Sequence, residues 1–372
     1  MKKNTWILYL VLFLAVCILP SVIYPLLGPY IDQENYENRV TAEAPEFSLS
    51  SIAQFPKEYE EFFNDNLPFR SFLIEANAAI DLHIFHQSPL KKVVIGKDGW
   101  LFYNAAGTDG DPMADAAGTN YYTSEELAQV AASLTAARDK LEAEGRSFVL
   151  MVVPNKESIY GKDYLPEEFP VADVTKADHL VNYLRNNTDL NIVYPKDALL
   201  GAMEADPQTD VYLKTDTHWN NLGAYLGSKE LLNAMDIRLP EISALELNTI
   251  GRPAGDLAKM MASKEYMNDD VDYQIGGYPG CGNVSESFPV EDNYDVIRYS
   301  SPGQDPRKLF MIRDSFTVPM APFISSQFET SYILHNYMYT PEYLAQIDPD
   351  IVVGEVAERY LNYLFSFTYR QA

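Results

Sequence analysis

The apolar residues of this chain fall into three regimes. Trp6 to Leu27 is almost unbroken and uncharged, long enough to cross a bilayer as one helix. Residues 57–85 place Phe62, Phe63, Phe72, Leu73 and Ile80 at helical spacings interrupted near Pro68, which predicts two helices. From residue 93 onward, short apolar runs alternate with helical periods. Val93-Val94-Ile95 and Leu101-Phe102-Tyr103 flank a Lys-Asp-Gly turn and predict two short strands. Leu127, Val130, Ala131, Leu134 and Leu141 predict a helix over 124–144, starting at Ser124 with Glu125 or Glu126. The continuous run 148–153 predicts a strand covered on both faces. A helix near 177–186, a strand at 191–194 and a helix from 221 to about 235 follow, then strands at 308–312, 331–334 and 350–356. Strands alternating with helices mean an α/β fold. Residues 238–304, rich in Gly, Pro, Asp and Asn, read as a loop-rich insertion with short strands. The expected organisation is a membrane anchor over 1–28, a juxtamembrane and helical region over 29–90, and an α/β domain over 91–372.

Charge narrows the partners. A formal net charge of −25 over 372 residues argues against nucleic acid. Lys2 and Lys3 precede the apolar run and should remain cytoplasmic, so the rest of the chain faces outward from the cytoplasmic membrane on a single pass. A cleaved signal peptide would begin the same way, but the run is long for one and no small-x-small site follows directly. Cys17 lies in the run, which leaves Cys281 alone in the outer domain and without a disulfide partner there.

The chemistry centres on Tyr212 to Asn220, where Asp216 and His218 stand two positions apart. A carboxylate at that spacing can fix one imidazole nitrogen and leave the other free as a general base. Ser315, just past the strand expected at 308–312, is the hydroxyl such a base would serve, and the N–H groups of the following turn are expected to stabilise an oxyanion. Pro154-Asn155-Lys156 also begins at a strand end and is expected to line the same cleft. The competing readings are a helix-capping serine, a structural histidine and a surface ion pair. His83, His86, His179 and His335 show no zinc-ligand spacing with His218, so neither a metal nor a cofactor is expected.

Asp216-Thr217-His218-Trp219-Asn220 with Arg313-Asp314-Ser315-Phe316 downstream resembles the SGNH hydrolase-like domain of alginate O-acetyltransferases and the related DHHW proteins of exopolysaccharide loci. Glu37-Asn38-Arg39, Phe63-Asn64-Asp65 with Pro68-Phe69-Arg70, residues 96–103 and 154–160, Gly255-Asp256-Leu257 and Glu358-Arg359 fit the same pattern in the same order. The resemblance implies an SGNH hydrolase-like parallel sheet flanked by helices. It makes Ser315 the nucleophile, His218 the base and Asp216 its orienting partner. Arg313-Asp314 replaces the Gly-Asp of the wider superfamily, which puts Arg313 with Asn155 and Lys156 among the expected oxyanion or substrate-binding residues. The implied activity is acetyl transfer to hydroxyls of an exported or cell-surface polysaccharide, with a multipass membrane acyltransferase supplying the acetyl group. A carbohydrate esterase with the same residues, or a non-catalytic polysaccharide-assembly scaffold, would carry the same fold.

Overall fold

A computed structural model describes residues 3–30, 40–48, 50–105, 110–288 and 296–366. Lys2 and Glu37-Asn38-Arg39 lie outside the described residues. The chain forms two compact units, one of residues 1–90 with 258–266, the other of 91–257 with 267–372.

In the first unit the Lys3–Leu27 helix overlaps an apolar span, Trp6–Tyr30, of mean hydropathy 2.6 whose most apolar stretch is not buried. Helices Phe55–Asp65 and Arg70–Ile80 follow on either side of Pro68, as the spacing predicts. Ile74 and Ala78 of the second pack on Ala262.

The second unit is built on a seven-stranded sheet. Two short strands, β1 (Val93–Ile95) and β2 (Leu101–Tyr103), pair antiparallel outside it around Asp98 and Gly99, whose φ of 54° and 79° are what an Asp-Gly turn tolerates. The remaining strands are β3 (Ser147–Val153), β4 (Ile192–Val193), β5 (Glu246–Arg252), β6 (Asp270–Gly276), β7 (Ser285–Ser287), β8 (Val296–Ser300), β9 (Leu309–Arg313), β10 (Thr330–His335) and β11 (Ile351–Ala357). The sheet order is β4-β3-β11-β9-β10-β8-β7, with the first five strands parallel. This is a mixed α/β fold with helices on both faces of a central sheet.

Alternation along the strands explains the layers. Val149, Met151, Val153, Met311 and Val353 face one core with helices Asn221–Asn233 and Thr317–Ser325. Phe148, Leu150, Val152, Phe310 and Val352 face the other with helices Ser124–Ala143 and Lys176–Asn187. Strands covered twice need apolar residues on both faces, hence their continuous runs.

Two expectations gain detail. The helix starts at Ser124 as expected, and its cap is the preceding Thr123: Thr123 Oγ1 accepts from the Glu126 N–H and the Glu126 carboxylate accepts from the Thr123 N–H. Within 238–304, β5 and β6 form a seven-pair antiparallel hairpin, while β7 and β8 extend the central sheet antiparallel at its edge. Edge strands meet water and carry polar residues, so their hydrophobic signal is weak.

Because β3, β11 and β9 run parallel, the segments leaving them, Asn155-Lys156, Glu358-Arg359 and Asp314-Ser315, emerge at one edge of the sheet. That carboxyl edge is where open α/β sheets gather ligands.

Candidate active site

The 212–219 segment is a tight loop closed by an antiparallel bridge between Tyr212 and Trp219, with Leu213 N–H donating to His218 O at 3.1 Å. Asn220 ends the loop and starts a helix at once. Its Oδ1 accepts from the N–H groups of Leu222 and Gly223, both at 3.0 Å.

Inside the loop, Asp216 Oδ1 accepts from both the backbone N–H of His218 at 3.0 Å and its ring Nδ1–H at 2.6 Å. The two-residue spacing is what allows one oxygen to take both. Burial alone would raise the Asp216 carboxyl. The hydrogen bond from the His218 ring, the charge that ring can carry and the N–H groups of His218 and Asp256 outweigh it and hold the group well below the usual carboxylate range. An ionised Asp216 only accepts, so Nδ1 carries the proton and Nε2 of the neutral ring is left as an acceptor. Ser315 Oγ–H donates to that Nε2 at 2.7 Å, across 97 positions of sequence. The structure thus brings Asp216, His218 and Ser315 into one hydrogen-bonded chain, with all three side chains partly exposed.

Ser315 reaches the ring because Phe316 anchors its turn. Trp219 Nε1–H donates to Phe316 O at 2.9 Å, and the Phe316 ring packs against His218 and Trp219 at 4.7 and 5.7 Å between centroids. On the other side, the Asp314 carboxylate accepts from Phe316 N–H at 2.9 Å and from Ala357 N–H at 2.7 Å. Of the turn's N–H groups expected to serve an oxyanion, that of Phe316 is committed to Asp314 and that of Val318 donates to Ser315 O at 3.2 Å.

Lys156 also differs from expectation. It is only 1% exposed, and its three ammonium donors go to the carbonyls of Leu213, Lys214 and Asp216 at 3.1, 3.2 and 2.5 Å. The side chain therefore props the Asp216 loop from beneath and has no donor left for a ligand. Burial lowers its pKa to about 8 despite nearby carboxylates. Asn155 is buried too, its N–H donating to Glu358 Oε2 at 2.8 Å while its side-chain Nδ2 has no partner among the described residues. Arg313 is 9% exposed and sends Nη1 to Asp314 O at 3.4 Å.

Sequence reasoning missed Asp256 as part of this cluster. Its N–H donates to Asp216 Oδ2 at 3.0 Å, and its carboxylate accepts from Thr217 N–H at 2.8 Å and Oγ1–H at 2.6 Å. Burial and then the Asp216 charge raise its pKa. The available signal was its place in Gly255-Asp256-Leu257. Asp216, His218 and Asp256 offer three ligand-type atoms within 4.8 Å of one another, a set that spacing did not foresee. Each is already paired, and a cation at Nδ1 would have to displace the proton shared with Asp216.

Gly255 permits this approach. A Cβ there would lie 2.4 Å from Asp216 Cβ and 2.6 Å from Asp216 N. Gly255→Ala is expected to displace Asp216 and cut turnover about a hundredfold, the usual cost of an ångström of misplacement. The check is kcat beside a circular-dichroism melt, and unchanged kcat would contradict the account.

Residues 93–270 match the family model described as SGNH hydrolase-like domain, acetyltransferase AlgX. The matched segment is a little under half of the chain. It contains Asp216 and His218, and Ser315 lies beyond it. The chain is 28% identical over 179 residues to the probable alginate O-acetylase AlgJ of Pseudomonas putida, a match covering 48% of this chain and 43% of that protein. Among solved structures it resembles Bacillus cereus PatB1, with a TM-score of 0.53 and 17% identity over 75% of this chain and 98% of that one. It also resembles a DHHW family protein from Eubacterium siraeum, with a TM-score of 0.51 and 19% identity over 72% and 93%. The chain spans about half the length of the curated relatives it matches. At such identities the two structures speak for the fold alone.

Proposed function

We propose that this protein is a serine O-acetyltransferase that modifies hydroxyls of an exported or cell-surface polysaccharide from the outer side of the cytoplasmic membrane. The observation that carries the reading is the hydrogen-bonded chain from Ser315 through His218 to Asp216. The matched family and the AlgJ relatives support acetyl transfer as its chemistry, and the apolar Trp6–Tyr30 helix supports a single-pass anchor.

In this reading His218 Nε2 takes the Ser315 proton as Oγ adds to the acetyl carbonyl of the donor. The tetrahedral adduct collapses to acetyl-Ser315, and Nε2–H returns the proton to the leaving group. A sugar hydroxyl then adds to the acyl carbonyl and gives its proton to Nε2, and Ser315 regains that proton as the sugar ester departs. Asp216 stays ionised throughout and steadies the imidazolium. We assign the oxyanion to the Ser315 N–H and to Asn155 Nδ2, a buried donor with no partner among the described residues. The acetyl donor in this scheme is a multipass membrane acyltransferase.

The test uses the full chain in detergent with a chromogenic acetyl ester, alone and with a sugar oligomer as acceptor. Acetate release that depends on Ser315, with acetyl appearing on the oligomer, is the expected result. Release without transfer makes the protein an esterase, and a rate equal to that of Ser315→Ala makes it a scaffold. A chelator is expected to leave the rate unchanged; loss of activity with chelator would place the chemistry on a cation at His218 instead.

A further inference from the structure

Glu355 lies near the end of β11, directly beneath the turn that carries Ser315. It is 4% exposed and Asp314 is 3% exposed. Glu355 Oε2 accepts from the Asp314 N–H at 2.8 Å and from Thr317 Oγ1–H at 2.9 Å, so one oxygen grips the turn on both sides of Ser315. The Asp314 carboxylate in turn accepts from Phe316 and Ala357 N–H, one on each oxygen. Of the four carboxyl oxygens in this pair, three receive a donor. The fourth, Glu355 Oε1, is buried and receives none among the described residues.

Two ionised carboxylates adjoining in a space without water repel one another strongly, and such pairs keep a proton between them. A buried acceptor with no donor is also costly. A single proton on Oε1 removes both penalties. We propose that Glu355 is a positioning residue for Ser315, its carboxyl held protonated with Oε1–H donating to the Asp314 carboxylate, so that the shared proton locks the turn presenting the hydroxyl to His218.

The electrostatics agree. Burial, then the Asp314 charge and a side-chain hydrogen bond to Asp314, push Glu355 well above the usual carboxylate range. Two cations lie beside the pair: Arg313, whose Nη1 donates to Asp314 O, and Arg359, which feels the Asp314 charge and whose guanidinium sits 5.3 Å from the Phe316 ring centre. Opposite Glu355 on β3 is the uncharged Met151. Because the folded value is raised, the lock is present below it and is lost as pH rises through it, when Oε1–H gives its proton to solvent and two anions face each other. This predicts an alkaline loss of nucleophile reactivity that does not originate in His218.

The proposal rests on Ser315 being the nucleophile, and one arm of its test does not. Infrared difference spectra of the full chain at neutral pH, native minus Glu355→Gln, are expected to contain the carbonyl stretch of a buried carboxylic acid. Its absence overturns the proposal whatever the activity. In the second arm, Ser315 labelling by a sulfonyl fluoride is followed against pH. Glu355→Gln keeps the hydrogen bonds of the protonated acid and is expected to label within about threefold of native at neutral pH. Its alkaline limb should be displaced upward or missing. Glu355→Ala should label roughly a hundredfold more slowly. A Gln variant as slow as the Ala variant, or one with the native alkaline limb, would refute the lock.

Discussion

Ser315→Ala is expected to lower ester turnover at least about a thousandfold while leaving the melting temperature within a few degrees, since the side chain is partly exposed and the loss is one oxygen. Asp216→Asn should cost about 10⁴ in kcat, because an amide can donate to Nδ1 and favour the tautomer with its proton on Nε2, where it would face the Ser315 hydroxyl. His218→Ala should resemble Ser315→Ala, and the double variant should be scarcely worse than either single one. That non-additivity is the signature of residues acting as a unit. Two losses that multiplied would mean that serine and histidine act independently.

The second large effect concerns stability and activity together. Lys156→Met should destabilise the fold by about 3 kcal/mol, because three carbonyls of the Asp216 loop lose a charged donor in a place water does not reach. The melting temperature should fall by roughly 10 °C. With Asp216 no longer held from below, kcat should fall about a hundredfold. The pH dependence has a definite sign. The native ammonium titrates at about 8, below the ordinary lysine value, so between the two the unfolded chain binds more protons than the folded one. The stability advantage of native protein over Lys156→Met should therefore widen as pH rises through that window. Denaturant midpoints at pH 7 and pH 9.5 measure it, and a gap that narrows would mean the buried lysine is not the group assumed.

What the sequence disclosed and what it concealed have physical causes. The central parallel strands β3, β9 and β11 were legible because they are buried on both faces and read as mostly apolar runs, and Asp216-x-His218 was legible because one oxygen takes both N–H groups of a residue two positions on. The edge strand β7 and its neighbour β8 gave no such run. Lys156 read as a cleft-lining residue or a surface ion pair at a turn, since nothing local tells an ammonium that feeds three backbone carbonyls from one facing a ligand or water. Asp256 and Glu355 enter the site only through tertiary contacts with residues 40 and 41 positions away. A carboxylate's neighbours at that distance are invisible to spacing.

The position of β11 has a consequence for how the protein comes into being. It is the last strand among the described residues, yet it is inserted at the middle of the sheet, between β3 and β9, and supplies both Glu355 and the Ala357 N–H to the Ser315 turn. During synthesis Asp216, His218 and Ser315 are all made before that strand is complete. If the proposed function holds, the nascent protein is expected to be inert toward esters until β11 is inserted.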